Sequence, residues 1–150
     1  MGRAYRDMKE YAKLVKTLRK EGGQFVKIMI SGIMDFDRGR LTEESLSDEE
    51  IRELIHIAHE EGFSVMAHTN GSRAVRTAAR AGVDSIEHGN FCDEDALAAL
   101  ADSPAVWVPT VATVKNLLGD GRFPENVIQK IWEGQQENLW KAFEMGVKMA

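Results

Sequence analysis

The sequence predicts an α/β fold built on a parallel sheet. Three observations predict it: helical segments alternate with short apolar runs, most helix-to-strand junctions carry a glycine, and two successive strands end in histidine. The junctions align as Glu61-Gly62-Phe63-Ser64-Val65, Ala81-Gly82-Val83-Asp84-Ser85 and Met145-Gly146-Val147-Lys148-Met149. Glu21-Gly22-Gly23-Gln24-Phe25-Val26 is a looser copy, and Ser103-Pro104-Ala105-Val106-Trp107-Val108 puts proline in the glycine position. Glycine suits the junction because the residue after a helix often turns to positive φ, which costs glycine little.

Taken in order, Ala4 to Lys20 reads as a helix with Tyr11, Leu14, Val15 and Leu18 on one face. Phe25 to Ile30 is the first strand. The segment 31–47 reads as a long loop without structure, of the kind that forms lids and specificity elements. Ser47-Asp48-Glu49-Glu50 is a capping box opening a helix to about Glu61, with Ile51, Leu54, Ile55 and Ala58 inward. Ser64 to His68 and Val83 to His88 are strands, separated by a short alanine-rich helix over Arg73–Ala81. Asp93 caps a helix through Ala101, and Pro124 opens the longest one, to about Met145, with Val127, Ile131, Leu139, Trp140 and Phe143 as its apolar residues. Gly134 is a candidate bend in it. Trp107, Trp132 and Trp140 read as packing residues. Val106 to Val108 reads as the fourth strand and Val147 to Ala150 as the fifth.

The composition excludes several function classes. The chain has 150 residues, 43% hydrophobic and 29% charged, with a formal net charge of −5 and no basic cluster, which argues against a nucleic-acid partner. Cys92 is the only cysteine, so no internal disulfide forms, and a reducing cytoplasm is the expected compartment. No apolar signal core opens the chain and no run approaches membrane-spanning length, so no membrane role is expected. Neither a glycine-rich dinucleotide fingerprint nor a P-loop occurs.

The candidate chemistry sits on three residues. Lys27, His68 and His88 come at or near the ends of apolar strands, and parallel α/β folds gather their sites at the C-terminal edge of the sheet. His68 and His88 each follow a junction glycine by six residues, which predicts equivalent heights on adjacent strands. Neutral imidazole is a common ligand of zinc and similar divalent metals. A lysine within an apolar strand pays a desolvation cost that favours its neutral form. Neutral lysine reacts with carbon dioxide to give a carbamate, an anionic donor with two oxygens. The competing reading is a solvent-facing lysine on an edge strand and two hydrogen-bonded strand-end histidines.

Four runs in order then carry a family resemblance: Phe25-Val26-Lys27-Ile28-Met29-Ile30-Ser31-Gly32, Val65-Met66-Ala67-His68-Thr69-Asn70-Gly71, Gly82-Val83-Asp84-Ser85-Ile86-Glu87-His88-Gly89 and Val108-Pro109-Thr110. They resemble the amidohydrolase superfamily, on its branch of imidazolonepropionase-related and Xaa-Pro dipeptidase-like enzymes. The resemblance implies the C-terminal part of a (β/α)8 TIM barrel, about strands 4 to 8 with their helices. It also implies a metal-dependent hydrolase of carbon–nitrogen bonds that uses a metal-activated water on a small-molecule or dipeptide substrate. In binuclear members two divalent metals, usually zinc, are held. Lys27 matches the lysine that becomes carboxylated, and His68 and His88 match the metal histidines of the fifth and sixth strands.

The departures are equally specific. No two of the four histidines are two residues apart, so the first-strand His-x-His pair has no counterpart. The aspartate after the eighth strand, ligand and general base in the family, has none either. No catalytic residue is therefore assigned within the chain. Residues 1–150 are expected to form one partial barrel domain, truncated at both ends and inactive alone. The alternative is a non-catalytic half-barrel that self-associates through its free sheet edges, as a homo-oligomer or with a complementing barrel fragment.

Lesser candidates complete the reading. Arg40 in the 31–47 loop suits a substrate carboxylate, and Asn70 and Thr110 stand where they can line the pocket. Asn70-Gly71 and Gly89-Asn90 also read simply as turns. The spacings Glu53-x-x-His56 and His56-x-x-His59 resemble helix-borne metal sites but lie amid acidic residues on a solvated face.

Overall fold

A computed structural model describes residues 2–43 and 45–150. The elements are α1 (Met8–Lys20), β1 (Phe25–Met29), β2 (Met34–Asp35), β3 (Arg40–Leu41), α2 (Asp48–Glu60), β4 (Ser64–Thr69), α3 (Ser72–Arg80), β5 (Ser85–His88), α4 (Glu94–Ala101), β6 (Val106–Val108), α5 (Ala112–Lys115) and α6 (Glu125–Glu144). Four strands form one parallel sheet in the order β1-β4-β5-β6, and the expected fifth is reduced to a single parallel bridge between Trp107 and Met149. Among the described residues no helix is long and apolar enough to cross a membrane.

The helices cover one face of the sheet. Val26 and Ile28 of β1, Val65 and Ala67 of β4, Ile86 of β5 and Trp107 of β6 are buried with Tyr11, Val15, Ile51, Leu54, Ile55, Val75, Ala78, Leu97 and Leu100 from α1 to α4. Alternation along a strand sends the intervening residues to the other face. There Phe25, Lys27 and Met29 are exposed and Met66, Ser85, Val106 and Val108 are half-buried. A parallel sheet is ordinarily covered on both faces. This one has its uncovered face where a closed barrel has its interior.

Local chemistry sets the helix limits. Ser47 Oγ accepts from Glu50 N–H while the Glu50 carboxylate accepts from Ser47 N–H at 2.9 Å, so both halves of the capping box form. Ser47→Ala is expected to lower the folding free energy by about 1 kcal/mol, read as a shift in urea midpoint at unchanged slope. Asp7 and Asp93 cap α1 and α4 with side-chain oxygens that accept from the Glu10 and Ala96 N–H groups. Pro124 stands at the N-cap of α6, whose helix runs unbroken through Gly134.

Two regions depart from the sequence reading. The 31–47 loop is not structureless, because β2 and β3 pair antiparallel within it. Its Met34 and Phe36 pack with Phe123 on a second small core of Val114, Leu117, Ile128 and Ile131. That core joins the loop to α5 and α6. Trp140 and Phe143, expected to pack, are 69% and 68% exposed. Trp107 does pack, at 2%.

Candidate functional site

The site is assembled by β4, β5 and β6 at their C-terminal ends. His68 is buried near the end of β4, and His88 is the last residue of β5. Register places Thr69, not His68, opposite His88. The equal spacing from Gly62 and Gly82 therefore does not give equal heights, because adjacent strands are staggered by one residue. The rings meet nonetheless, edge to face with centroids 4.7 Å apart. His88 achieves this through its backbone, at φ 75°, in the left-handed region that non-glycine residues rarely occupy.

Neighbouring groups hold that turn. Thr110, itself at φ 49°, has its Oγ1 at 2.7 Å from His88 Nδ1. Trp107 Nε1–H donates to the His88 carbonyl at 2.9 Å, and Gly89 lies so close to the indole that a Cβ there would overlap it. Strained backbone of this kind costs about 1–3 kcal/mol per residue and clusters at functional sites.

Each ring has one engaged nitrogen and one free. The Thr110 contact uses His88 Nδ1 and leaves Nε2 without a protein partner among the described residues. His68 Nε2 lies 3.3 Å from the Gly32 carbonyl oxygen and 3.3 Å from Asn70 Nδ2, leaving Nδ1 similarly free. Burial first, then the His68 imidazole, holds the His88 pKa below the usual histidine value; Lys27 adds to the lowering and Glu87 opposes it. A folded-state histidine with a lowered pKa binds fewer protons than the unfolded chain. Stability of the metal-free protein should therefore be full above pH ~6.5 and fall as pH drops through that value toward the folded pKa. Urea midpoints from pH 8 to 5 measure this, and His88→Gln should flatten the fall.

Lys27 pairs in register with Met66, two residues before His68, and so shares the face that carries His68. It is exposed, because β1 is an edge strand. The desolvation expected at Lys27 from its apolar neighbours is accordingly absent in this chain. Among the described residues no three of His, Cys, Asp and Glu gather as a metal-binding group. The residues present fit a part of a coordination shell, two imidazole nitrogens with a lysine on the same face.

Of the substrate candidates, Thr110 touches His88. Asn70 is buried, and its side chain is committed to protein partners: Oδ1 accepts from Asn90 N–H at 3.0 Å and from Asn90 Nδ2 at 3.1 Å. Arg40 is exposed on β3 and borders a groove of about 580 Å³ with Leu41, Asn70 and Arg73. His59 lies 2.9 Å from Asp84, which gives it a partner other than a metal.

Two residues were not among the site candidates drawn from the sequence. Glu87 is registered with His68 and Val108, so a buried carboxylate, accepting from Ser85 Oγ at 2.8 Å, stands on the site face. Its signal was a charged residue inside an apolar strand. Gln135 is the other, a buried polar residue on the same stripe of α6 as Ile128 and Ile131.

No family model matches the chain. Ochratoxinase of Aspergillus niger is 22% identical over 144 residues, covering 94% of this chain and 30% of its own length. A crystal structure of an amidohydrolase is 30% identical, with a TM-score of 0.78 over 99% of this chain and 38% of that one. A Xaa-Pro dipeptidase with methionine in its active site is 26% identical, with a TM-score of 0.79 over 97% of this chain and 38% of that one. The chain is similar in sequence and fold to part of the amidohydrolase superfamily. It spans about a third of the length of such relatives, and its four parallel strands correspond to part of the TIM barrel that amidohydrolases share.

Proposed function

We propose that this chain contributes Lys27, His68 and His88 to a divalent-metal centre in a hydrolase of carbon–nitrogen bonds. The observation that carries the reading is the pair of imidazoles 4.7 Å apart at the C-terminal sheet edge, set there by left-handed backbone at His88 and Thr110. Nitrogen donors of this kind favour zinc. The metal, when bound, supplies a Lewis acid that activates water toward an amide carbon. Addition of carbon dioxide to the Lys27 side chain, with loss of two protons from its ammonium form, would give an anionic oxygen donor on the same face. His88 Nε2 and His68 Nδ1 are the nitrogens left to ligate. A dipeptide or cyclic amide is the substrate class, with Arg40 and Thr110 at the mouth. Among the described residues no three of His, Cys, Asp and Glu form a metal-binding group, and the first-strand histidine pair and the aspartate after the eighth strand have no counterpart, so we infer that the chain does not turn over substrate alone. The single cysteine suits a reducing, cytoplasmic setting.

Retained zinc tests the reading. After incubation with zinc and bicarbonate and then desalting, the chain should keep metal, and Lys27→Ala, His68→Ala and His88→Ala should each lose most of it. No retention by the native chain, or equal retention in all three variants, overturns the proposal.

A second reading is favoured by the flanks. A groove of about 640 Å³ runs along the free edge of β1, lined by Tyr11, Leu14, Val26, Ile28 and Leu54. At the other end Trp140 and Phe143 stand exposed beside Leu139 and Met149. Unpaired strand edges and apolar patches of this kind recruit other strands and helices. We infer that a complementing barrel fragment or a second copy covers them.

A further inference from the structure

The sheet has two open sides, and their chemistry differs. β1 has no partner along its outer edge among the described residues, and the groove beside that edge is flanked by Leu14 and Leu18 of α1. On the other side the segment 147–150 joins β6 through Trp107 N–H to the Lys148 carbonyl at 2.8 Å and Ala150 N–H to the Trp107 carbonyl at 3.1 Å. That segment bridges no second strand among the described residues. Beside it α6 presents Trp140 and Phe143 to solvent.

The two flanking helices carry opposite charge. α1 has five cations, Lys9, Lys13, Lys16, Arg19 and Lys20, all exposed, against the single carboxylate of Glu10. It is basic in a chain whose formal net charge is −5. α6 has four carboxylates, Glu125, Glu133, Glu137 and Glu144, against Lys130 and Lys141. The stripes also match in spacing. Lys9, Lys13, Lys16 and Lys20 follow the same helical interval as Glu133, Glu137, Trp140 and Glu144, so each set lies along one side of its helix.

We propose that both open sides are covered by a second copy of this chain, joined head to tail about a twofold axis. The 147–150 segment of each copy lies along β1 of the other, parallel like every pairing already in the sheet. α6 of one copy then stands beside α1 of the other, Trp140 and Phe143 against Leu14 and Leu18, with the glutamate stripe facing the lysine stripe at the rim. Apolar burial supplies the binding, and the exposed charges select the partner and its orientation. Closure follows from strand number. The four strands correspond to part of a TIM barrel, whose curvature closes at eight strands, and two copies supply eight. β1 becomes an inner strand, and Lys27 then faces an enclosed interior. The inference rests on the covered flanks inferred above and commits to one occupant of them.

Sedimentation of the purified chain over a concentration series tests it, with far-UV circular dichroism to confirm that each variant is folded. The wild type should be a dimer, and Leu14→Asp and Trp140→Asp should each weaken association about tenfold or more. Mixing those two variants should restore a dimer, because one joint then has both of its faces intact. Lys13→Glu with Lys20→Glu leaves the core untouched and should also weaken the dimer, and adding Glu133→Lys with Glu137→Lys should restore it. A monomeric wild type overturns the proposal and leaves a complementing fragment as the occupant. A dimer that only one of the aspartate variants breaks, or no recovery on mixing, overturns the head-to-tail joint. Open chains of growing mass overturn the closed ring, and association indifferent to the charge reversals removes the ground for choosing a second copy. None of these variants touches Lys27, His68 or His88, so failed zinc retention beside an intact dimer counts against the metal reading alone.

Discussion

Replacing Trp107 with alanine is expected to cost about 3–5 kcal/mol of folding stability, a large fraction of what a domain of this size possesses. Trp107 is 2% exposed and lies on the helix-covered face of β6, so the substitution empties one of the largest volumes in the core. It also removes the donor to the His88 carbonyl and the indole against which Gly89 is seated. Those two contacts hold His88 at positive φ, and without them the residue can relax into extended backbone and carry its ring away from His68. Trp107→Phe separates the effects. It restores most of the volume but not the donor, so it should recover most of the stability and little of the His68–His88 ring contact. Urea unfolding gives the first quantity and nuclear Overhauser contacts between the rings give the second. Stability within about 1 kcal/mol of wild type in Trp107→Ala would show that the residue does not carry the core on this side.

Gly32→Ala is expected to act on the opposite wall. A Cβ on Gly32 would stand 2.5 Å from Glu43 N, 2.8 Å from Glu43 O and 2.8 Å from Thr42 Oγ1. Two of those atoms are backbone, which cannot rotate aside as a side chain can. The strand-to-hairpin crossing must open, at about 1–3 kcal/mol for overpacking of this kind. The same peptide carries the carbonyl that faces His68 Nε2 at 3.3 Å and Asn70 Nδ2 at 3.4 Å. Its displacement should therefore perturb the His68 ring signals together with stability. Loss of stability with unchanged His68 signals would mean that the carbonyl has no part in holding the ring.

Much of the fold was legible in the sequence because its signals are local. Ser47 with Glu50, Asp93, the glycines at 62, 82 and 146 and the apolar runs each state a cap, a turn or a strand without reference to distant residues. The candidate site residues could be named from the sequence, but not their mutual geometry. Register between β4 and β5 is a property of two strands together, so the spacing of His68 and His88 from their glycines could not reveal the one-residue stagger. The exposure of Lys27 depends on which strands flank β1, again not a local matter. Asn70 looked like a turn residue open to substrate because its partners Asn90, Ser31 and Gly32 lie 20 to 39 positions away. The second core escaped for the same reason. Met34, Phe36, Val114 and Phe123 show no periodicity along the chain, and only the packing of three segments brings them together.

The three tryptophans occupy three different surroundings, and that gives the protein an optical readout of its own site. Trp107 is sealed in the core with its ring nitrogen bound to the His88 carbonyl, Trp132 has the Lys115 ammonium 5.1 Å over its ring, and Trp140 is 69% exposed. Dry, rigid indoles emit toward the blue and resist aqueous quenchers, whereas wet ones emit toward the red and are quenched at once. Acrylamide should therefore strip the Trp140 light first and leave a residual spectrum dominated by the indole that props up the His88 turn. Anything that disturbs that turn, from a ligand to a point change in β6, then reports itself as colour, with no label attached.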